Sequence, residues 1–353
     1  MGKIICGIQQ MGIGIPDVQE AWKWYRDAFG MDIRMFEEKA DAPLMTKYTG
    51  GEVQSRHAAL AINLAGGGGF EIWQYTSRIP QMPDFEVQLG DLGIYIAKIK
   101  CNHIQKAYTQ HKQLGMEVLG DITLDPNGDE HYYVKDPYGS IFEMVQGNDW
   151  FSKPKNHCGG VEGCVIGVSS IEKSMTLYAD ILGYDKTVYD QTDYFNDLEI
   201  LPSGNQEFRR VLLERTQPTK GSFSQLLGSG KIELIQSCER NPRKIFENRF
   251  WGDRGFIHLC FDIKGMKELE KECTDNGYPF TVDSSNVFDM GEASGHFSYI
   301  EDPDGTLIEF VETHKIPIIK KIGWYLTIDK NKPEKQLSRW LLKLLSFNRV
   351  KEN

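Results

Sequence analysis

The stretch KDPYGSIFEMVQ, Lys135 to Gln146, decides how this chain reads. Pro137 and Gly139 supply turn geometry and the apolar residues that follow favour an extended strand, so a tight β-hairpin is expected. Glu143 stands inside that strand, flanked by Phe142 and Met144. A carboxylate between apolar neighbours is costly unless it faces a cavity, a metal ion or a hydrogen-bond donor. The pattern returns as EDPDGTLIEFVE, Glu301 to Glu312, where Glu309 again follows the turn Asp by seven residues. Weaker echoes occur as FEIWQ around Glu71 and IELIQ around Glu233. Four short strands that each carry one acid make an internal repeat.

Outward from these strands, four helices can be read. The first starts at about Asp17, a plausible N-cap, and the others near Asn102, Ser170 and Met266. Each ends in Gly followed by Met or Tyr: Gly30-Met31, Gly115-Met116, Gly183-Tyr184 and Gly277-Tyr278. Glycine accepts the left-handed conformation that closes a helix. Short apolar strands precede the helices, at Ile4 to Ile15, Leu92 to Ile96, Val161 to Val168 and Phe256 to Ile263. The unit is β-α-β-β-β, met four times in an α+β chain. One unit cannot cover its own sheet, so two are expected to pair into a curved half-barrel. Paired in sequence order, they predict one domain over residues 1–153 and another over 154–315, joined through a polar link containing Pro154, Asn156 and Gly159.

Residues 316–353 form a basic tail, in which Leu337, Trp340, Leu341, Leu344 and Phe347 recur at helical spacing beside Lys335, Arg339 and Lys343. This amphipathic helix is expected to pack on its own domain or on a second copy, making a homo-oligomer; contact with an anionic membrane surface or acidic partner is the alternative. The net charge of −10 disfavours general nucleic-acid binding. Seven scattered cysteines without a C-x-x-C pair predict reduced thiols used as small apolar residues. No apolar run reaches the roughly 20 residues of a membrane span, and the first residues lack a secretory pattern. Gly2 invites a myristoylation reading that Cys6 does not support. A cytoplasmic location is expected.

The duplicated unit, with its DPxG hairpin and Glu on the last strand, resembles the vicinal oxygen chelate superfamily of glyoxalases, bleomycin-resistance proteins and extradiol dioxygenases, over roughly residues 4 to 312. The resemblance implies a divalent ion (Mn, Mg, Fe, Co, Ni or Zn) inside the curved sheet, held from the first and last strands of two units. Carried onto the first pair of units, it implies Gln10, Glu71, Asp91 and Glu143 as ligands. Asp91 stands where the family usually has His. Glu143 then becomes the candidate catalytic base and Glu71 the second carboxylate. In the second pair Gly163 and Phe256 occupy the chelating positions, and Glu233, Glu309 and His258 remain, so a degenerate cup is expected there. His131 is expected to be an exposed strand residue, with a role near the site as the alternative.

The resemblance therefore implies a glyoxalase-like metal-dependent lyase or isomerase acting on a small carbonyl compound. Extradiol cleavage is disfavoured because its two His are missing. Glyoxalase I proper is weakened by Gly14 and Tyr75, which replace an Arg and an Asn that meet glutathione. The competing class is a metal-free protein that sequesters a small molecule, with Trp73, Tyr75 and Tyr95 lining the cup.

Overall fold

The computed structural model describes residues 2–285, 288–289, 294–319, 323–329 and 332–350. The first module contains β1 (Ile4–Gly14), α1 (Val18–Phe29), β2 (Ile33–Asp41), β3 (Ser55–Ile62) and β4 (Gly69–Tyr75). The second contains β5 (Gly93–Cys101), α2 (Ile104–Gln113), β6 (Glu117–Leu124), β7 (Glu130–Lys135) and β8 (Ile141–Gln146). In the third are β9 (Cys158–Gly167), α3 (Ile171–Met175, running into a π-turn), β10 (Lys186–Tyr194), β11 (Glu207–Glu214), a short α4 (Ser224–Leu227) and β12 (Lys231–Ser237). The fourth has β13 (Gly255–Lys264), α5 (Met266–Asp275), β14 (Val282–Asp283), β15 (Phe288–Asp289), β16 (Ser294–Glu301) and β17 (Leu307–Ile319).

The local signals act as expected. Asp17 accepts the amides of Gln19 and Glu20 to start α1, and Gly30, at φ 70°, closes it. Ser170 caps α3 in the same way through the amide of Lys173. In each DPxG turn the Asp is a hub. Asp136 accepts the amides of Tyr138 and Ser140 and the hydroxyl of Tyr25 on α1. Asp302 repeats this with the amides of Asp304 and Thr306 and the hydroxyl of Tyr178. The hairpins of the second and fourth modules are thereby tied to the helices of the first and third.

The sheets group the modules differently from the expectation over 1–153 and 154–315. One sheet, the outer, runs β14-β16-β17-β13-β1-β4-β3-β2 and joins the fourth module to the first; the other, the inner, runs β10-β11-β12-β9-β5-β8-β7-β6 and joins the third to the second. Within each, the two modules meet through an antiparallel seam, β1 against β13 and β5 against β9. Sequence neighbours instead share a core between the sheets, where Phe142 of the second module stacks among Tyr25, Phe29 and Phe70 of the first. The physical reason is that a β-α-β-β-β sheet offers the same open edge to every other module, so chain order does not select the partner.

The tail packs on its own chain. β18 (Trp324–Thr327) extends the outer sheet beside β17, and α6 (Arg339–Lys343) is followed by a 3₁₀ turn over Leu344–Asn348. Leu342 and Leu345 are fully buried against Ile33, Ile62, Ile316 and Ile318. The helix is thus shorter than the expected amphipathic span; tail residues 320–322, 330–331 and 351–353 lie outside the described residues.

Candidate metal centre

The interior of the outer half-barrel gathers Gln10 of β1, Glu71 of β4, His258 of β13 and Glu309 of β17. Gln10 Nε2 lies 3.4 Å from Glu71 Oε2 and 3.2 Å from Glu309 Oε2. His258 Nε2 lies 3.4 Å from the same Glu71 oxygen and 3.1 Å from the same Glu309 oxygen. Ligand atoms of Glu71, His258 and Glu309 all fall within 4.8 Å of one another. The sheet explains this convergence. Gly12 of β1 sits opposite both His258 and Glu71, and a Cβ there would lie 2.4 Å from the imidazole, so only glycine leaves room for the ring.

This donor set fits a divalent cation. Adjacent ligands in an octahedron with bonds of ~2.1 Å stand about 3.0 Å apart, close to the spacings observed. Gln10 Oε1 is buried without a hydrogen-bond partner, which leaves one donor atom open to an ion, and His258 Nε2 faces the two carboxylates that would share an ion with it. No Lys or Arg pairs with Glu71 or Glu309 among the described residues. Burial pushes the Glu309 carboxyl up, but the His258 charge and its hydrogen bonds pull it down further, below the usual range. Burial lowers His258, yet Glu309 and Glu71 together raise it to about 9. Tyr299 Oη stands 3.4 Å from Nδ1 of that imidazole and orients it.

Above the four residues opens a cavity of about 350 Å³, lined largely by apolar side chains such as Phe36, Met45, Leu60, Phe223, Phe297 and Ile316, with Leu345 of the tail in its wall. Trp73 and Tyr75 pack beneath it against Trp251, whereas Tyr95 belongs to the other half-barrel.

The four residues expected as ligands do not converge. Gln10 and Glu71 share the outer half-barrel; Asp91 and Glu143 belong to the inner one. Asp91 caps a turn, accepting the amide of Gln88 at 2.9 Å and the guanidinium of Arg240 at 2.6 Å. Glu143 is occupied by the Lys98 ammonium, which also reaches Glu233 at 2.7 Å. Arg210 joins Glu233 to Asp197, and His131, buried rather than exposed, stands between Glu143 and Asp197.

Strand register shows how this inner site differs. Gln10 opposes Cys260 where Gly163 opposes Lys98, and Gly12 opposes His258 where Val165 opposes Ile96. Glu71 and Glu233 correspond, as do Glu309 and Glu143. The inner half-barrel therefore keeps both acids, loses the amide and the imidazole, and sets the Lys98 ammonium between the acids. The histidine position is Ile96, five residues beyond Asp91.

The expectation of a degenerate cup around His258 and Glu309 rests on Phe256 at the chelating position. A bulge between Gly12 and Ile13 sets Ile13 opposite Phe256 and skips Ile257. Ile257 packs with Trp73 and Trp251, whereas Phe256 turns to the core beside Phe142. Strict alternation hides this. The signal that could have found the site is the glycine run in β1, which demands a large group opposite it.

A paired set of β-α-β-β-β half-barrels with carboxylates on the last strands facing the curved interior defines a vicinal-oxygen-chelate protein. Family profiles described as the glyoxalase/bleomycin resistance protein/dioxygenase superfamily match residues 7–144 and 164–299, and the chain belongs to that superfamily. Among solved structures it resembles glyoxalase I from Zea mays at 13% identity and TM-score 0.54, over 88% of this chain and 92% of that one. A presumed dioxygenase from Bacillus subtilis is similar at 13% identity and TM-score 0.57, over 88% and 86%. These likenesses establish the fold. A search of curated proteins finds no match.

Proposed function

We propose that this chain is a divalent-metal-dependent lyase or isomerase of glyoxalase type, which moves a proton next to the carbonyl of a small molecule. The observation that carries this reading is two carboxylates and an imidazole converging beside the Gln10 side-chain amide at the floor of an apolar cavity, with no Lys or Arg paired to either acid among the described residues. Gln10, Glu71, His258 and Glu309 would hold the ion, and the imidazole favours Zn, Ni, Co, Fe or Mn over Mg. When bound, the ion polarises a substrate carbonyl and stabilises the charge that develops on its oxygen.

The chain's own groups do the rest. Glu309 takes the role expected of Glu143, since it holds the corresponding register position. It remains ionised near neutrality, as a general base must, and accepts the proton from the carbon beside the carbonyl, then returns it to the neighbouring carbon. Tyr299 fixes the tautomer and tilt of His258. The apolar walls exclude water that would quench the carbanion equivalent. Extradiol cleavage fits poorly, because that chemistry uses two His and one carboxylate, and here Gln10 stands in place of the second His.

Elemental analysis of protein purified without a His tag tests the reading. About one ion per chain is expected, lost in His258→Ala and Glu309→Gln and retained in Glu143→Gln. Wild-type protein without an ion, or equal ion content in all variants, overturns it. The cavity would also suit sequestration of an apolar molecule, a function marked by ligand binding that a chelator leaves unchanged.

A further inference from the structure

The cavity has a second polar pole. Arg56 of β3 lines it and is 7% exposed, yet only part of its guanidinium is used. Nη2 donates to Glu38 Oε1 at 2.6 Å, while Nη1 is buried with no hydrogen-bond partner. An unpaired donor of a charged group, held out of water, is costly to maintain and marks the place for an acceptor that arrives with a ligand. Trp251, also in the lining, likewise has a buried indole N–H without a partner. Arg56 is the sole cation in the described lining.

Position separates this pole from the first. Leu60 is paired with Glu71, and Arg56 lies four residues further along the same face of β3, opposite Tyr75. That is a rise of about 13 Å along the strand. Between the two poles the wall is apolar, built from residues such as Leu60, Phe36 and Met45. A peptide with two carboxylates and an ammonium would leave charges against hydrocarbon. A molecule with chelating oxygens at one end, an apolar or aromatic body and one carboxylate at the far end would match the candidate ligands, the apolar wall and the open Arg56 Nη1, while Asp41, also in the lining, is occupied by the Ser55 hydroxyl at 2.5 Å.

We infer that the substrate of this site is an apolar carbonyl compound ending in a single carboxylate, which Arg56 receives. This rests on the proposed metal reading and adds the identity of the distal group. Arg56 on β3 is thus a specificity determinant, acting on the substrate terminus remote from the reacting carbon.

The test uses linear alkyl hydroxamic acids of increasing chain length that carry an ω-carboxylate, each with its methyl ester, titrated calorimetrically into full-length protein loaded with Zn²⁺ or Mn²⁺. The hydroxamate takes the ion, and the far end reports on Arg56. In at least one member the acid is expected to bind about tenfold to a hundredfold tighter than its ester, the worth of a hydrogen bond to a charged group. In Arg56→Met that preference is expected to fall to within about twofold, with ester affinity and metal content unchanged. Because Arg56→Met strands Glu38, the pair Glu38→Gln with Arg56→Met serves as a second variant. Equal binding of acid and ester at every length, with the ion in place, overturns this inference and leaves the metal reading standing. Absence of any bound ion overturns both. A preference that survives in both variants also overturns it.

Discussion

Lys98→Met in the inner half-barrel should destabilise the protein strongly. The cluster there balances three cationic side chains, Lys98, Arg210 and His131, against Glu143, Glu233 and Asp197, all at least nine-tenths buried. Removing the ammonium leaves two facing carboxylates with one charge uncompensated in a dry interior. Breaking a buried pair from one side costs about 3–5 kcal/mol, because the remaining charge is stranded. Adding Glu143→Gln removes that surplus charge, so the double variant should recover part of the loss. Burial lowers His131, but Asp197 and Glu143 raise it to about 9. Its contribution is therefore fully present below its ordinary value of about 6.5 and is lost as pH rises through about 9. Without Lys98 the cluster is more negative and that window should move upward. Urea unfolding at pH 7, followed by tryptophan fluorescence, measures the change. A single variant within about 1 kcal/mol of wild type, or a double variant worse than the single, would refute the claim that an amine stands between the two acids.

Two further outcomes follow from the outer half-barrel and the tail. Since Glu309 and Glu71 hold His258 at about 9, an ion entering at neutral pH must displace its proton. Apparent affinity for Zn²⁺ should rise about tenfold from pH 7 to pH 8 and level off above about 9, with about one proton released per ion; a flat profile by dye competition would remove His258 from the ligand set. In the tail, Leu342→Ala and Leu345→Ala should each cost about 2 kcal/mol or more, since both side chains are fully buried. Trp340→Ala and Phe347→Ala, at positions 64% and 61% exposed, should stay within about 0.5 kcal/mol in the same urea assay.

Much of the fold was legible because its signals are local. Asp17, Gly30, Ser170 and the Asp of each DPxG turn act on residues a few places away, so a linear reading finds them. Gln10 and Glu71 were legible for the same reason, as the acid and the amide are conspicuous on their own strands. Module pairing was not, since β1 could meet β5 as readily as β13 by any pattern of hydrophobic alternation. The choice depends on complementary interiors hundreds of residues apart, Gly12 with His258 on one seam and Gly163 with Lys98 on the other. Asp91 misled for a related reason. It carries an oxygen near the start of a module, but strand register gives the interior position to Ile96. His258 was hidden by the bulge at Ile257, which turns two consecutive residues inward.

The outer pairing has an energetic consequence for the whole chain. Gln10 and Glu71 come from one end of the sequence and His258 and Glu309 from the other, so the set closes only after both ends have met along the β1–β13 seam. The inner seam carries its own compensating cation in Lys98 and needs nothing from solution. The outer one brings two acids and a single imidazole together, and by itself retains repulsion between Glu71 and Glu309. An ion that binds the closed set alone would shift the balance by RT ln(1 + [L]/Kd), about 2.7 kcal/mol at a hundredfold excess over Kd. That stabilisation acts on the seam between first and fourth modules and leaves the second and third untouched. Chelation should therefore loosen β1 and β13 in hydrogen exchange while β5 and β9 keep their protection. Uniform loss of protection across both seams would mean that the two half-barrels unfold as one unit, with the ion acting on all of it.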